Sequence, residues 1–419
     1  MEKISIFGGR KLSGDVVISG AKNAALPILV ATLLTDDQCS LYNIPDLRDI
    51  NTIMEVLGSL GKKIYREGDC YIASAPDELL PEAPYELVRT MRASVLVLGP
   101  LLARRSEAKV ALPGGCAIGL RPINLHLKGF EKLGAEVSIK EGYVLVSASK
   151  LKGANIYLDL PSVGATENIM MAAVLAEGKT IIENAACEPE IVDLANFLNK
   201  MGANIQGMGT SVIKIDGVKR LKGVQYTIIP DRIEAGTFMV AGAVTRGDIR
   251  LKNIMPAHLH SVTEKLREAG VEVEVEKGDN TLVVKANGEL KPIGIKTMPF
   301  PGFPTDMQAQ FMALMCVTKG TSVITETVFE NRFMHVAELC RMGAKVTIKG
   351  NSAIVKGVSK LSGAPVMATD LRASAALVIA GLVAEGKTVV SRVYHIDRGY
   401  DKIEDKLSKL GAKIRRTKG

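Results

Sequence analysis

The stretch Leu198-Asn-Lys-Met-Gly202-Ala-Asn-Ile205 joins the end of an apolar helix to a short strand through a glycine. The same pattern occurs at five other places in the chain, 57–64, 130–137, 266–273, 339–346 and 407–414. The glycines, Gly61, Gly134, Gly202, Gly270, Gly343 and Gly411, are 73, 68, 68, 73 and 68 residues apart. A glycine in this position is typical of the left-handed residue that ends a helix. Six units at a nearly constant interval predict an architecture built by repetition.

A second pattern precedes the first in each unit, in which an apolar, Ala-rich helix leads through a charged turn into an extended segment. Examples are 168–177 followed by Gly178-Lys-Thr-Ile-Ile, and 373–385 followed by Gly386-Lys-Thr-Val-Val. Each unit of about 70 residues therefore carries two helices and several strands, which predicts an α/β fold of six βαβαββ-like repeats. Periodicity alone leaves open whether the six repeats close as one ring or form two lobes of three.

The first helix of every repeat is predicted to begin at nearly the same place, and these beginnings contain most of the charged candidates. They are Lys22-Asn23, Arg92, Ser162–Thr166, Arg232–Glu234, Thr305-Asp306 and Asp370-Leu-Arg372. Equivalent positions in a pseudo-symmetric array can converge, and helix N-termini favour anions. Cations such as Lys22, Arg92 and Arg372 are unfavourable for a helix N-terminus itself, which indicates an anionic ligand. The alternative is that these long side chains simply reach solvent.

Composition limits the classes of function. A chain of 419 residues predicts two or three domains, and 53 Lys and Arg against 45 Asp and Glu give a net charge of +8 without a basic run. Aromatic residues make up 4% and Trp is absent, which disfavours stacking on single-stranded nucleic acid. The six cysteines include no Cys-x-x-Cys pair, so a disulfide framework or zinc site is disfavoured and a reducing cytoplasm is expected.

Neither a signal peptide nor a membrane span is expected. The N-terminal residues lack a long apolar region. The apolar runs Ala93–Ala103 and Ala373–Ala384 are shorter than the ~20 residues that a membrane span needs, and they predict buried helices. Gly381–Thr388 matches the P-loop pattern, but a helix is predicted before it and a strand after it, the reverse of a P-loop. His258-Leu-His260 is a weak metal signal without an acidic or thiol partner at a known spacing.

A Pro/Gly-rich loop, Pro113-Gly-Gly-Cys116-Ala-Ile-Gly-Leu-Arg121-Pro122, carries one thiol near one guanidinium. Such a composition predicts a loop, and Arg121 would lower the pKa of the Cys116 thiol. We expect this loop to act as a lid that closes after a ligand binds. The alternative is a polar connection with an inert cysteine.

A second Pro/Gly loop, Phe300–Asp306, delivers a carboxylate to a helix start. Asp306 could act as a general base, or Thr305 or Asp306 could cap the helix that follows. Asp370 is a predicted helix cap, and the segment Pro161–Thr166 could either cap a helix or offer backbone N–H groups to a diphosphate. The charged turns around Arg332 and Arg398 are, taken alone, typical of solvated surface.

The sequence resembles the enolpyruvyl transferases along its full length, in particular those that act on UDP-N-acetylglucosamine. The motifs that carry the resemblance are Ser19-Gly-Ala-Lys22-Asn23-Ala-Ala-Leu-Pro, Arg89-Thr-Met-Arg92-Ala-Ser, Pro113-Gly-Gly-Cys116-Ala-Ile-Gly, Arg121-Pro-Ile, Phe303-Pro-Thr-Asp306-Met-Gln-Ala-Gln, Phe329-Glu-Asn-Arg332-Phe-Met-His and Thr369-Asp370-Leu-Arg372-Ala-Ser. The family's motif usually continues Arg-Pro-Ile with Asp, whereas position 124 here is Asn.

The resemblance implies two inside-out α/β lobes of three repeats each, with the site in the cleft between them. One lobe would span 21–229 and the other would combine 1–20 with 230–419. The implied reaction transfers the enolpyruvyl group of phosphoenolpyruvate to the 3′-hydroxyl of UDP-N-acetylglucosamine by addition and elimination, with release of phosphate. This reaction is the first committed step of peptidoglycan synthesis. It requires neither a metal nor an organic cofactor, and both substrates are small molecules.

The resemblance also implies roles for individual residues. Cys116 would be the general acid at C3 of phosphoenolpyruvate and could form a covalent adduct with it, and Asp306 would be the base for the sugar hydroxyl. The expected phosphoenolpyruvate-binding residues are Lys22, Asn23, Arg121, Arg332, Arg372 and Arg398. Lys22, Arg121 and Arg398 would hold the phosphate, and Arg332 and Arg372 the carboxylate. The expected nucleotide-sugar-binding residues are Asn23, Arg92, Arg121, Pro122, Ile123, Asn124, Leu125, Ser162, Val163, Gly164, Asp306 and Val328. Asp370 would assist proton handling, and the epoxide fosfomycin would alkylate Cys116.

Two other functions remain open from the sequence. One is 5-enolpyruvylshikimate-3-phosphate synthase, which has the same fold and donor, although the Cys116 loop and Arg121-Pro-Ile argue against it. The other is a non-enzymatic repeat scaffold that binds nucleic acid through its net charge, with strongly salt-dependent binding.

Overall fold

The computed structural model of the chain describes residues 2–75, 78–89, 91–112, 123–276 and 280–418. Cys116, Arg121, Pro122 and the rest of the predicted lid loop lie outside the described residues. The described residues fall into two compact units. The first unit comprises the described residues of 20–229, and the second comprises 2–19 with the described residues of 230–418. The cleft implied by the resemblance stays a prediction.

The strands of the described residues, in chain order, are β1 (Glu2–Phe7), β2 (Ser13–Val17), β3 (Cys39–Tyr42), β4 (Ile64–Glu67), β5 (Cys70–Ala73), β6 (Glu82–Ala83), β7 (Glu107–Ala111), β8 (Glu136–Lys140), β9 (Tyr143–Ser147), β10 (Asn155–Tyr157), β11 (Lys179–Glu183), β12 (Asn204–Gln206), β13 (Val212–Asp216), β14 (Gln225–Thr227), β15 (Asp248–Lys252), β16 (Glu272–Val275), β17 (Leu282–Lys285), β18 (Ile295–Lys296), β19 (Thr321–Thr325), β20 (Lys345–Lys349), β21 (Ser352–Lys356), β22 (Pro365–Met367), β23 (Lys387–Ser391) and β24 (Lys413–Lys418).

The α-helices of the same residues are α1 (Lys22–Ala31), α2 (Arg48–Ser59), α3 (Tyr85–Val88), α4 (Leu98–Arg105), α5 (Asn124–Lys132), α6 (Val163–Ala173), α7 (Pro189–Lys200), α8 (Arg232–Val244), α9 (His260–Glu268), α10 (Gln308–Cys316), α11 (His335–Arg341), α12 (Leu371–Val383) and α13 (Ile403–Lys409). Short 3-10 segments occupy Thr32–Leu34, Arg92–Val97, Pro256–Leu259, Thr305–Met307 and Val393–Arg398.

All six described sheets have the same four-stranded pattern, three in each unit. Their strand orders are β14-β3-β5-β4, β6-β7-β9-β8, β10-β11-β13-β12, β2-β15-β17-β16, β18-β19-β21-β20 and β22-β23-β1-β24. The first two strands in each order are parallel, and the remaining neighbours are antiparallel. The series β10-α6-β11-α7-β12-β13 is the predicted βαβαββ repeat. The prediction of an α/β fold built from six repeats is therefore confirmed.

Strands distant in sequence complete three of the sheets. In the first unit, β14 pairs with β3 through Gln225 and Ser40, so the last strand of this unit completes its first sheet. In the second unit, β1 lies between β23 and β24, and β2 pairs with β15. This pairing places residues 2–19 with residues 230–418.

The repeat glycines and the buried helices agree with the sequence analysis. All six repeat glycines have positive φ, between 88° and 107°. The first helix of each repeat is here called the inner helix. The inner helices α1, α6, α8, α10 and α12 are apolar on nearly all sides, as expected for helices enclosed by other elements, whereas α4 ends in Arg104 and Arg105. All nine residues of α10 are buried, and α8, α10 and α12 pack against one another in the core of the second unit.

Local helix boundaries differ from the prediction in two places. The apolar run Ala93–Ala103 begins in the 3-10 segment Arg92–Val97 and continues as α4. The helix expected over 168–177 ends at Ala173. Glu177 instead pairs with the segment that leads into β10, since its N–H donates to Leu151 O and its carbonyl accepts from the Gly153 N–H. The P-loop match is rejected, since α12 precedes Gly386 and β23 follows it. Within the described ranges, no helix has the length and apolar character needed to cross a bilayer.

The buried carboxyl group of Asp193 predicts a local pH dependence of stability. Its Oδ1 accepts from the Tyr226 hydroxyl at 2.6 Å, and its Oδ2 accepts from the Ile229 N–H at 3.3 Å. Burial raises the pKa of Asp193 to about 6, although both hydrogen bonds lower it. A raised carboxyl pKa means that the folded state holds the proton more tightly than the unfolded state. Folding stability from this group is therefore lost as pH rises through the folded pKa.

We expect Asp193→Asn to remove this loss. Between about pH 4 and 6.5, the free energy of unfolding of the wild type should fall relative to that of the variant, by at most roughly 3 kcal/mol. Urea unfolding at several pH values measures the difference. A difference that is independent of pH, or that grows in the opposite direction, would contradict the raised pKa.

Candidate active site

Two inner helices in the second unit begin with an aspartate cap. Asp231 accepts from the N–H groups of Ile233 and Glu234 at 2.7 and 3.1 Å, at the start of α8. The predicted cap Asp370 accepts from the N–H groups of Arg372 and Ala373 at 2.8 and 2.9 Å, at the start of α12. These carboxylates satisfy helix N–H groups that would otherwise lack partners.

Asp306 does not cap a helix. Neither the 3-10 segment Thr305–Met307 nor α10 has a side-chain cap. The Asp306 carboxylate instead lies between two guanidinium groups: Oδ1 is 2.6 Å from Arg332 Nη2, and Oδ2 is 3.1 Å from Arg372 Nε. Arg332 precedes α11 and Arg372 opens α12, so residues from two successive repeats converge on one carboxylate.

Burial and the neighbouring positive charges have opposite effects on the pKa of the Asp306 carboxyl group. Burial alone would raise the pKa of its carboxyl group, but the charges and hydrogen bonds of Arg332 and Arg372 hold that pKa well below its usual range. The Arg332 and Arg372 side chains are 7% and 5% exposed, whereas the Asp306 side chain is 26% exposed. The carboxylate is therefore the most exposed of the three charged groups.

A buried carboxylate that the sequence analysis missed supports this cluster. Glu326 accepts from the hydroxyls of Thr297 and Thr305 at 2.8 and 2.7 Å, and from the Val328 N–H at 2.8 Å. Thr305 in turn accepts from Arg332 Nη1 at 2.8 Å. Glu326 thus fixes both Thr305, beside Asp306, and the backbone at Val328, a predicted nucleotide-sugar residue.

An aromatic ring fixes the other guanidinium. The centre of the Arg372 guanidinium lies 5.2 Å from the ring centroid of Tyr400, within cation–π range. The Tyr400 hydroxyl is 2.9 Å from Thr237 Oγ1 and 3.2 Å from Gln310 Nε2. Arg372 Nη1 is buried and has no hydrogen-bond partner among the described residues. Tyr400, held through its hydroxyl, thus fixes the position of the Arg372 guanidinium.

In the first unit, Lys22 lies at the start of α1 with its Nζ 3.2 Å from Asp49 Oδ2, and both side chains are largely buried. Ser162 caps α6 by accepting from the Ala165 N–H at 3.3 Å, so the capping alternative for Pro161–Thr166 is met at this residue. Next to this cap, His126 lies 3.3–3.5 Å from the position that a Cβ on Gly164 would occupy. Burial, and then the positive charge of Arg92, lower the pKa of His126.

The remaining predicted residues are placed as follows. Asn23 is half-buried in α1, Ile123 is buried, Asn124 and Leu125 open α5, Val163 opens α6, Val328 is 38% exposed, and Arg398 ends a 3-10 segment half-buried. Thus the second unit brings Asp306, Arg332 and Arg372 together, and the first brings Arg92 and Gly164 close to His126. The expectation of a solvated turn around Arg332 is wrong, because the carboxylate of Asp306 compensates its burial.

The described residues offer no cluster of three or more His, Cys, Asp and Glu side chains that could hold a metal ion. The second unit offers guanidinium groups, and the first offers an ammonium group and helix N–H groups, all of which recognise anions.

Comparisons with known proteins agree with this chemistry. Residues 6–407 match the family EPSP synthase (3-phosphoshikimate 1-carboxyvinyltransferase). The chain is 61% identical over 417 residues to UDP-N-acetylglucosamine 1-carboxyvinyltransferase 2 of Carboxydothermus hydrogenoformans, covering 99% of each chain. It is 59% identical over 418 residues to UDP-N-acetylglucosamine 1-carboxyvinyltransferase of Geobacter metallireducens, covering 100% of each.

Solved structures show the same fold. The enolpyruvyl transferase NikO from Streptomyces tendae is similar with a TM-score of 0.90 at 25% identity, covering 100% of this chain and 99% of NikO. EPSP synthase from Acinetobacter baumannii is similar with a TM-score of 0.77 at 19% identity, covering 100% of both chains. The second likeness concerns the fold alone.

Proposed function

The chain belongs to the EPSP synthase family of 1-carboxyvinyl transferases, and we propose that it transfers the 1-carboxyvinyl group of phosphoenolpyruvate to the 3′-hydroxyl of UDP-N-acetylglucosamine, releasing phosphate. The observation that carries the proposal is the carboxylate of Asp306 between two buried guanidiniums, in a chain 59–61% identical to relatives of that name. The reaction would be the first committed step of peptidoglycan synthesis.

The proposed reaction has two steps, an addition and an elimination. In the addition step, the sugar 3′-oxygen bonds to C2 of phosphoenolpyruvate as its proton passes to Asp306, and C3 gains a proton from Cys116. In the elimination step, the Cys116 thiolate would take a proton from C3, the double bond re-forms and phosphate leaves from C2, taking up the proton that Asp306 gained. Lys22, Arg121 and Arg398 would hold the phosphate.

Arg332 and Arg372 would hold the substrate carboxylate. This role would also change the pKa of the Asp306 carboxyl group, which the same two guanidiniums lower. A strongly acidic carboxyl group is a weak base, because Brønsted behaviour favours a pKa near the working pH. A second carboxylate that binds to the same guanidiniums would share their charge with Asp306. Its pKa would then rise towards a value at which it can accept the sugar proton. Substrate binding thus prepares the base.

The nucleotide sugar would bind to Asn23, Arg92, the segment 121–125, Ser162, Val163, Gly164 and Val328. Asp370, whose carboxylate caps α12, would assist proton handling. We place the reaction in the cytoplasm, where a reducing environment keeps the Cys116 thiol available. Its partners are its two small-molecule substrates, and the proposed chemistry needs no metal or organic cofactor.

Product analysis with competing acceptors tests the proposal. The protein is supplied with phosphoenolpyruvate and equal concentrations of UDP-N-acetylglucosamine and shikimate 3-phosphate, and products are identified by mass spectrometry. We expect the enolpyruvyl ether of the nucleotide sugar. Formation of the shikimate product alone would establish the alternative enzyme. No product with either acceptor, combined with salt-dependent DNA binding, would favour the scaffold.

An epoxide tests the proposed thiol. We expect fosfomycin to add covalently to Cys116, because Arg121, five residues along the chain, is expected to favour the nucleophilic thiolate and the inhibitor carries an anionic phosphonate. Peptide mass spectrometry should find one adduct, on Cys116. The buried Cys39 and Cys316 serve as internal controls. Full activity and an unmodified Cys116 after long exposure would refute the assignment.

A further inference from the structure

Asn168 is a fully buried amide that joins three elements of the first unit. It lies in α6, and its Oδ1 accepts from the Gly99 N–H at 2.8 Å. Its Nδ2 donates to Val95 O at 3.0 Å and lies 3.0 Å from His126 Nδ1. The amide oxygen thus accepts one hydrogen bond, and each of the two N–H groups of Nδ2 has a partner.

These contacts determine which nitrogen of His126 carries the proton. The Gly99 N–H can only donate and the Val95 carbonyl can only accept, so the amide of Asn168 has one orientation. Its remaining N–H points at His126 Nδ1, which must therefore accept. Burial, followed by the positive charge of Arg92, lowers the pKa of His126 to about 4, so the ring is neutral. A neutral ring that accepts at Nδ1 carries its proton on Nε2.

The Nε2 edge of His126 faces the first turn of α6. A Cβ placed on Gly164 would lie 3.3 Å from Cε1 and 3.5 Å from Nε2 of His126. The N–H groups of Val163 and Gly164 are at the helix start, where no earlier turn supplies an acceptor. The cap uses the Ala165 N–H, and the Thr166 N–H bonds to Ser162 O. The start of α6, here called the α6 corner, therefore has three donors: the His126 Nε2–H and the N–H groups of Val163 and Gly164. The positive charge of Arg92 also acts on His126.

We propose that Asn168 is a positioning residue for the nucleotide sugar: it fixes His126 as an Nε2–H donor, which together with the N–H groups of Val163 and Gly164 binds the diphosphate. The inference rests on the proposed function and deepens it by assigning a donor set to one part of the substrate. A diphosphate suits this corner because it is anionic and presents only acceptors. The alternative Nδ1–H tautomer would turn a lone pair towards the diphosphate and repel it.

The first experiment compares two replacements of His126. Gln places its amide nitrogen near the position of Nε2, and Asn places its own near Nδ1. We expect the KM for UDP-N-acetylglucosamine to be higher in His126→Asn than in His126→Gln, by about tenfold or more for one donor to a charged group. The kcat should change little in either, since the contact exists both before and during reaction. Equal KM values for the two variants would overturn the proposal.

The second experiment tests whether Asn168 acts through His126. Asp in place of Asn168 cannot donate to Nδ1, so the proton should move to that nitrogen and the KM for the nucleotide sugar should rise. In the His126→Gln background, Asn168→Asp should have little further effect on KM. The matched control is Asn199→Asp, because the Asn199 amide makes two bonds to the Ile205 backbone at 2.9 and 2.8 Å, in the same unit. An Asn168→Asp effect on KM of the same size in both backgrounds would show a purely structural role.

The third experiment needs no substrate. With 15N-labelled histidine, the five histidines give ring-nitrogen shifts that distinguish protonated from unprotonated nitrogens, and the His126→Gln spectrum assigns residue 126. We expect a neutral ring with the proton on Nε2 in wild type, and a proton on Nδ1 in Asn168→Asp if that variant folds. A wild-type ring with its proton on Nδ1 would overturn the proposal even if the enzyme assay succeeded. Conversely, absence of any reaction with UDP-N-acetylglucosamine, with the expected tautomer present, would count against the proposed function instead.

Discussion

Asp306→Asn is expected to lower kcat by about 10²- to 10⁴-fold, the range for loss of a general base. The amide cannot accept the proton of the sugar hydroxyl, and it leaves Arg332 and Arg372 without their carboxylate partner. The KM for phosphoenolpyruvate should not rise, because these guanidiniums become more available to the substrate carboxylate. Steady-state phosphate release measures both parameters.

The control for this change is Asp15→Asn. Asp15 forms an exposed ion pair with Lys252 at 2.6 Å, in the same unit. Its loss should leave kcat unchanged, because exposed pairs contribute little. If Asp306→Asn keeps wild-type turnover, another group takes the sugar proton and the assignment of the base is wrong.

Lys406→Met is expected to produce a large loss of stability. Lys406 Nζ lies 2.6 Å from both Glu234 Oε1 and Ser19 Oγ, while the Ser19 N–H donates to Glu234 Oε2 at 2.7 Å. Glu234 is 2% exposed, so removing the cation leaves a buried carboxylate without its charge partner. Such a loss costs about 3–5 kcal/mol. Urea unfolding at pH 7.5 measures it.

The pH dependence and a double variant separate charge from packing. Burial raises the pKa of Glu234 and Lys406 lowers it, so in Lys406→Met this pKa should rise further. A raised folded pKa costs stability as pH rises through it, so the deficit should be smaller at pH 5 than at pH 7.5. Lys406→Met combined with Glu234→Gln should recover part of it. Lys360→Met, which breaks an exposed pair with Glu385, is the control. A deficit unchanged by pH and by Glu234→Gln would show that lost packing is the cause.

The repeated architecture could be predicted because its signals are local. A glycine that ends a helix can be identified from the residues next to it in the sequence. The positive φ of Gly202 and its equivalents could therefore be predicted from the sequence alone. The cap at Asp370 is local in the same way. The sequence next to β1 and β14 does not show that β1 pairs with β23 or that β14 pairs with β3. Pairing between strands so far apart in the chain is decided by tertiary packing.

The residues expected to contact the substrates could be proposed from the helix starts and the family resemblance, whereas the residues that support them could not. Glu326 and Asn168 act through partners 21 and 42 residues away, and no spacing in the sequence marks those contacts. His126 directly follows Leu125, the last of the predicted nucleotide-sugar residues 121–125, but nothing local in the sequence shows that an amide fixes its tautomer. The charged turn around Arg332 is, taken alone, typical of solvated surface, and only the family resemblance placed this residue in the site. Its burial depends on Asp306, 26 residues away.

Phosphate release from phosphoenolpyruvate, followed with and without UDP-N-acetylglucosamine for wild type and Cys116→Ala, tests the proposed reaction most directly. We predict release by the wild type only when the nucleotide sugar is present, and release reduced by about 10²-fold or more in Cys116→Ala. Release by the wild type that does not depend on the nucleotide sugar, or undiminished acceptor-dependent release by Cys116→Ala, would contradict the proposed mechanism.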